Sequence, residues 1–160
     1  MRSFVTKLLL EQVSAFWDII KYAIEQSLPP IVVNNPEALN RILSSILCGK
    51  TEVWTEYVKE EGKDSKFECI FLTQFIYDEP SGTKNLLIYS LYGYEEIDSG
   101  SWARALITMV KYAKEKKCDQ IVAYSSVPIV IEMAKSVGWN TDYTFLSGNV
   151  SEMAKRFNIE

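Results

Sequence analysis

Apolar residues recur at steps of three and four between residues 11 and 27, which predicts an amphipathic helix. The residues that set this period are Val13, Phe16, Trp17, Ile20, Ala23 and Ile24. Residues 4–10 are rich in β-branched and apolar side chains and predict a strand ahead of it. The prolines at 29–30 end the helix, because residues before proline avoid helical backbone angles. A second helix is predicted from the cap Asn35 to the stop signal Gly49.

Beyond residue 50 the pattern becomes that of strands separated by charged turns. Three strands are predicted in succession, over residues 51–58, 66–77 and 85–94. The connections are too short for parallel pairing, so the three strands are expected to form an antiparallel meander. The last strand is apolar on both faces over residues 86–89, which is typical of a central strand covered on both sides.

The second half of the chain alternates between helix and strand. The predicted elements are a helix over 101–117, a strand over 118–124, a helix over 127–137, a strand over 141–147 and a terminal helix capped near Asn149. The complete order is β-α-α-β-β-β-α-β-α-β followed by a C-terminal helix. This order predicts a single α/β domain over residues 1–160, with a mixed sheet, helices on both faces and a right-handed crossover between the parallel strands.

Composition narrows the chemistry that such a domain can perform. The chain has 160 residues, of which 48% are hydrophobic, so one compact core is expected. It contains no histidine, which excludes a Ser-His-Asp device, a histidine-ligated metal and an imidazole base. The formal net charge of −4 argues against nucleic-acid binding. Three cysteines without a CxxC spacing suggest neither a disulfide framework nor a zinc site, and we expect no metal.

The apolar runs also limit the expected location. No uncharged apolar run approaches the roughly 18 residues that a membrane span needs, and the run at residues 8–10 is too short for a signal-peptide core. We therefore expect a cytoplasmic protein in a reducing compartment, without a membrane partner.

Two short motifs accompany the predicted element order. The segment 100–104, with the sequence GSWAR, opens the helix after the meander, and the Gly-Trp pair at 138–139 closes the next helix. In both order and motifs the chain resembles, over essentially its whole length, the GNAT superfamily of acyl-CoA N-acyltransferases. In that family the backbone amides of a [QR]xxGx[GA] loop cradle the pyrophosphate of the cofactor at a helix N-terminus, where small residues and the helix dipole favour a polyanion.

The resemblance implies acetyl-CoA as cofactor and gives a set of candidate residues. The cofactor-binding candidates are Tyr92, Gly93, Tyr94, Gly100, Ser101, Ala103 and Arg104. We expect Gly93 to mark a bulge that separates its strand from the next one and opens a wedge for the acyl-pantetheine arm. An N–H group exposed there could polarise a thioester carbonyl.

The chain departs from the family pattern at several positions. The loop motif can be aligned in two registers. In one register Asp98 takes the Gln/Arg position and Ser101 takes the position of the first glycine. In the other register Ile97 takes the Gln/Arg position and Gly100 is the glycine. Glu95, Glu96 and Asp98 add negative charge beside the expected pyrophosphate.

The second family signature also differs. Its asparagine and tyrosine positions hold Val127 and Ala134, and alanine cannot donate a proton. The remaining catalytic candidates are Glu95 and Glu96 as general base and Tyr94 as acid. Other phenols that could replace the missing acid are Tyr92, Tyr124 and Tyr143.

These departures lead to two functional hypotheses. The first is a GNAT-like domain that has lost acyl transfer and acts as an interaction or assembly protein, with a protein partner or self-association. Its small element set is similar to that of GNAT-like proteins encoded by tailed bacteriophages, in which case a virion location is expected. The alternative is an acyl-CoA-dependent N-acetyltransferase that acts on an unknown amine.

Overall fold

The sheet is mixed, as the sequence predicts. The computed structural model describes residues 2–33, 35–94 and 99–160. Its strands are β1 (Arg2–Lys7), β2 (Thr51–Lys59), β3 (Lys66–Asp78), β4 (Thr83–Gly93) and β5 (Gln120–Ala123), side by side in that order. The pairings from β1 to β4 are antiparallel and β4 pairs with β5 in parallel, so the meander and the crossover are both confirmed.

Six helices cover the sheet and follow its last strand in the described part of the chain. They are α1 (Leu10–Ala15), α2 (Trp17–Gln26), α3 (Ala38–Leu47), α4 (Ser99–Glu115), α5 (Pro128–Ser136) and α6 (Val150–Arg156). No helix in the described ranges is long and apolar enough to cross a bilayer.

Alternation along the strands divides the core into two layers. On one face Val53, Ile70 and Leu72 pack with the buried side chains of α1, α2 and α3. On the other face Trp54 and Phe71 pack with residues of α4. Because successive strand residues point to opposite faces, a strand that is buried on both sides must be apolar at consecutive positions. Each fully buried large side chain contributes roughly 1.5–3 kcal/mol to this packing.

The helix predicted over residues 11–27 forms as two helices. They meet at Phe16, whose φ of −107° and ψ of 17° depart from helical values. The ring of Phe16 packs edge-on against Phe67 of β3, with centroids 5.4 Å apart. This contact holds the joint between the two helices against the sheet. The spacing of apolar residues along the chain could not predict the joint, because it depends on a contact with a distant strand.

The strand predicted over residues 141–147 does not form. The segment passes the end of β5, where the ring of Phe145 contacts that of Tyr124 at a centroid distance of 4.9 Å. Tyr143 and Leu146 remain 87% and 85% exposed. A pattern of β-forming residues predicts a strand only if pairing buries it, and β5 contributes only four residues that could pair.

The bond between Trp54 and Thr73 gives a test of the α4 layer. Trp54 Nε1 donates to Thr73 Oγ1 at 2.9 Å, and both residues are buried. We expect Trp54→Phe to destabilise the fold by about 2 kcal/mol or more, because it removes the bond and leaves a small cavity. Thr73→Val should cost about 1–3 kcal/mol alone but little in the Trp54→Phe background, where its partner is already gone. Urea unfolding of the three variants measures this, and strictly additive costs would contradict it.

Candidate active site

The sheet opens between β4 and β5. Their parallel ladder joins residues 85–88 to Gln120–Ala123 and ends at the pair Ile88 and Ala123. β4 continues for five further residues to Gly93, paired with β3 alone. Beyond Ile88 no strand of the described residues pairs with this side of β4. Within the described residues, this side of β4 from Tyr89 to Gly93 is therefore an unpaired strand edge, which we call the wedge.

A bulge in β4 lies at the point where the wedge begins. Ile88 pairs with Thr73 and Ser90 pairs with Leu72, so Tyr89 is an extra residue in β4. The expectation of a bulge at Gly93 was wrong, since Gly93 pairs regularly with Cys69. An extra residue bends its strand and increases the local twist. The bulge lies directly after Ile88, the last residue of β4 that pairs with β5.

The bulge also decides which backbone amides face the wedge. The N–H of Tyr94 donates to the carbonyl of Glu68 on β3 at 3.0 Å. Backbone N–H and C=O groups alternate in direction along an antiparallel strand, so Tyr92 and Ser90 also direct their N–H and C=O groups to β3. Leu91 and Gly93 lie between them and direct their N–H and C=O groups into the wedge.

The first turn of α4 is fixed to the sheet by polar side chains. Ser101 is buried and its hydroxyl donates to Glu68 Oε2 at 2.9 Å. Arg104 Nη2 donates to the same hydroxyl oxygen at 2.9 Å, and Arg104 Nε lies 3.5 Å from Glu56 Oε1. The side chains of both cofactor-binding candidates thus face β2 and β3. A ligand at this turn would therefore be held by its backbone rather than by the side chains of Ser101 and Arg104.

Glu56 is the main feature of the site that sequence analysis missed. Its carboxyl is fully buried on β2, where Ser3 Oγ donates to Oε1 at 2.6 Å. Oε2 has no hydrogen-bond partner within the described ranges. Burial raises the pKa of Glu56, and the nearby charge of Glu68 raises it further, while Ser3 and Arg104 oppose the shift. The sequence did contain a signal for Glu56, because it lies two residues after Trp54 in a predicted strand and therefore on the same face. In the structure this strand, β2, is buried nearly throughout.

Glu68 owes its position to a second bulge. Cys69 pairs with Glu56 and Phe67 pairs with Tyr57, so Glu68 is the extra residue in β3. The side chain of a bulged residue turns toward the same face as that of its neighbour. This brings the carboxyl of Glu68 to the α4 face, where Cys69 also lies.

Tyr92 and Tyr94 project from β4 to the face opposite α4. Both pack against the layer of α1, α2 and α3. The Tyr94 hydroxyl donates weakly to the carbonyl of Ile19 at 3.5 Å, and burial raises the pKa of Tyr94 to about 12. Their side chains are therefore separated from the α4 turn, although the backbone of β4 beside them borders the wedge.

The other predicted site residues are placed less centrally. Gly100 is half-buried and Ala103 is exposed in the first turn of α4, and Glu95 and Glu96 lie outside the described residues. Ala134 is half-buried on α5, and Val127 precedes that helix as its cap. Of the alternative phenols, Tyr124 directly follows Ala123, the last residue of β5 that pairs with β4. No group of acidic or cysteine side chains within the described ranges could hold a metal ion.

The fold is similar to that of several solved structures. A predicted acetyltransferase with acetyl-CoA from Clostridium acetobutylicum matches with a TM-score of 0.67 and 18% identity, over 94% of this chain and 98% of that one. A putative acetyl transferase from Pyrococcus furiosus matches with a TM-score of 0.65 and 14% identity, over 93% and 100% of the two chains. AAC(6')-Iy in complex with the bisubstrate analogue CoA-S-monomethyl-acetylneamine matches with a TM-score of 0.66 and 10% identity, over 93% of this chain and 98% of that one.

No protein-family model matches the sequence, and neither does any curated protein. The structural matches nevertheless cover nearly the whole chain, and the structures concerned are acetyltransferases. They agree with the element order. The chain therefore has the GNAT fold, that of the acyl-CoA N-acyltransferases.

Proposed function

We propose that the protein transfers an acyl group, with acetyl-CoA as donor, to the nitrogen of an amine. The observation that carries this proposal is the wedge beside β4, into which the amides of Leu91 and Gly93 point. Main-chain donors that point away from their own sheet need partners, because unpaired backbone groups are costly once water is excluded. The match to a structure with acetyl-CoA and to one with a CoA analogue supports the same donor.

The residues around the wedge suit such a donor. The backbone of Leu91 and Gly93 would hold the arm along β4, as a neighbouring strand would. The first turn of α4, from Gly100 to Ala103, would hold the diphosphate at the positive end of a helix of 17 residues. When bound, acetyl-CoA supplies the thioester carbonyl that the amine attacks. An amide of β4 directed at that carbonyl oxygen would stabilise the negative charge that develops there.

The buried polar network below α4 would position the turn. Ser101 and Arg104 connect it to Glu68 and Glu56, two carboxyls on neighbouring strands. Two carboxylates close to a polyanion site are unfavourable, and one arginine neutralises only one of them. Burial raises the pKa of Glu56, so its carboxyl takes up a proton at a higher pH than an ordinary glutamate does, and uptake of that proton removes one negative charge from the network.

Proton transfer to the departing sulfur requires a donor other than Ala134. Tyr124 supports the proposal by its place directly after Ala123, the last residue of β5 that pairs with β4. Tyr94 is less suited, because its hydroxyl is directed to the carbonyl of Ile19 on α2, at 3.5 Å.

The first hypothesis of the sequence analysis, a silent interaction domain, has less support than the alternative of acyl transfer. It was based on the altered loop, the missing asparagine and the missing tyrosine, whereas the present proposal rests on backbone groups of β4 and α4. Self-association or a protein partner stays a prediction.

Binding of acetyl-CoA tests the proposal directly. At about 100 times its dissociation constant, a specific ligand should stabilise the fold by roughly 2.7 kcal/mol, measured as a shift in thermal unfolding. Gly100→Glu should abolish the shift, because it places a carboxylate in the first turn of α4. Gly100→Ala is the matched control and should keep the shift, since alanine is small, neutral and compatible with a helix. No shift for the wild-type protein at millimolar acetyl-CoA would contradict the proposal.

The pH dependence of stability tests the buried network. The folded state binds the Glu56 proton more tightly than the unfolded chain does, because the pKa is raised above its ordinary value of 4.5. Stability should therefore decrease as the pH rises from about this value through the native pKa. Glu56→Gln should remove this decrease, so that its stability relative to wild type improves with rising pH.

Glu61→Gln is the control for that experiment. Glu61 is exposed in the turn between β2 and β3, so the variant should keep the wild-type profile. Chemical unfolding at a series of pH values measures the free energy of unfolding of the wild-type protein, Glu56→Gln and Glu61→Gln. An unchanged pH profile in Glu56→Gln would show that Glu56 titrates normally.

A further inference from the structure

Three tyrosines meet beside the wedge on the face opposite α4. Tyr92 packs edge-on against Tyr94, with centroids 5.0 Å apart, and edge-on against Tyr22 of α2, with centroids 5.8 Å apart. Tyr22 is 50% exposed, so this tyrosine cluster (Tyr22, Tyr92 and Tyr94) reaches the protein surface.

The wedge connects the two faces of the sheet. The α4 turn lies on one face, and Tyr92 and Tyr94 project from β4 to the other. An arm whose diphosphate sits at α4 and which runs along β4 would bring its acyl end toward this second face. The acceptor then has to approach from the side of the tyrosine cluster.

The cluster suits one kind of acceptor. Edge-on ring packing leaves ring faces and edges that another aromatic ring can join in the same geometry. The face of a tyrosine ring also attracts a cationic nitrogen. Asp18 and Glu25 lie four residues before and three after Tyr22, on the same side of α2. Lys21, the cation of this helix, lies three residues after Asp18 and four before Glu25, so one net negative charge remains on this side of α2.

We propose that the tyrosine cluster binds the ring of an arylalkylamine, which is the acyl acceptor. This rests on the proposed acyl transfer. The acceptor enters as an ammonium ion and loses one proton to solvent before its nitrogen attacks. A bond forms between this nitrogen and the thioester carbon, and the C–S bond breaks. The second proton of the nitrogen is released as the amide forms, and the sulfur leaves as the CoA thiol after taking up a proton.

The test compares two amines of equal charge and similar size, 2-phenylethylamine and 2-cyclohexylethylamine. Binding of each to the full chain is measured by calorimetry or by ligand-observed NMR, with and without acetyl-CoA. We expect the aromatic amine to bind about threefold to tenfold more tightly. Tyr22→Ala should remove this preference, and it should not unfold the protein because Tyr22 is half exposed.

Tyr77→Ala is the matched control. Tyr77 is 64% exposed near the end of β3 and does not belong to the cluster, so the variant should keep the preference. Equal binding of the two amines, no binding of either, or an unchanged preference in Tyr22→Ala would each overturn the proposal.

The same samples separate this proposal from the proposed function. A thermal shift with acetyl-CoA but no preference for the aromatic amine would overturn the arylalkylamine site alone. A preference that depends on Tyr22 without any shift by acetyl-CoA would support the aromatic site and overturn acyl transfer.

Discussion

The additional residue in β4 is the constraint on which the rest of the site depends. Tyr89 lies between Ile88, which pairs with β5 as well as β3, and Ser90, which pairs with Leu72 of β3. A regular strand would continue its ladder on both sides and leave no room for a ligand arm. From the inserted residue onward β4 pairs with β3 alone, and the amides of Leu91 and Gly93 are directed to the open side. The function that we propose is a consequence of this local change in backbone geometry.

A second inserted residue supports the other end of the site. Glu68 turns to the α4 face because β3 bulges opposite β2, and its carboxyl accepts the hydroxyl of Ser101. Together with Glu56 and Arg104 it fixes the beginning of α4 over the sheet. The position of this turn thus depends on buried polar bonds, which are worth more in a water-poor interior than at the surface and more costly when incomplete. The partly unsatisfied carboxyl of Glu56 is the cost of this arrangement.

The local pattern was enough to predict most elements. The left-handed Gly49, with a φ of 78°, follows α3 as expected, and the Asn149 side chain accepts the N–H of Glu152 at the start of α6. Element order then predicted the mixed sheet. Features that depend on contacts distant in sequence could not be found in this way. The joint between α1 and α2 depends on the contact of Phe16 with Phe67. The position of Arg104 depends on its contact with Glu56. The bulge at Tyr89 depends on how β4 pairs with β3. The phenol missing at Ala134 was visible, whereas the location of Tyr124 at the end of the ladder required the structure.

Residue-resolved amide hydrogen exchange tests the central claim most directly. In the free protein, Leu91 and Gly93 should exchange much faster than Ser90 and Tyr92, although all four belong to the same strand. Acetyl-CoA should slow exchange at Leu91 and Gly93 and leave the other two nearly unchanged. Uniform protection along β4 in the free protein, or protection by acetyl-CoA that does not reach Leu91 and Gly93, would contradict this account.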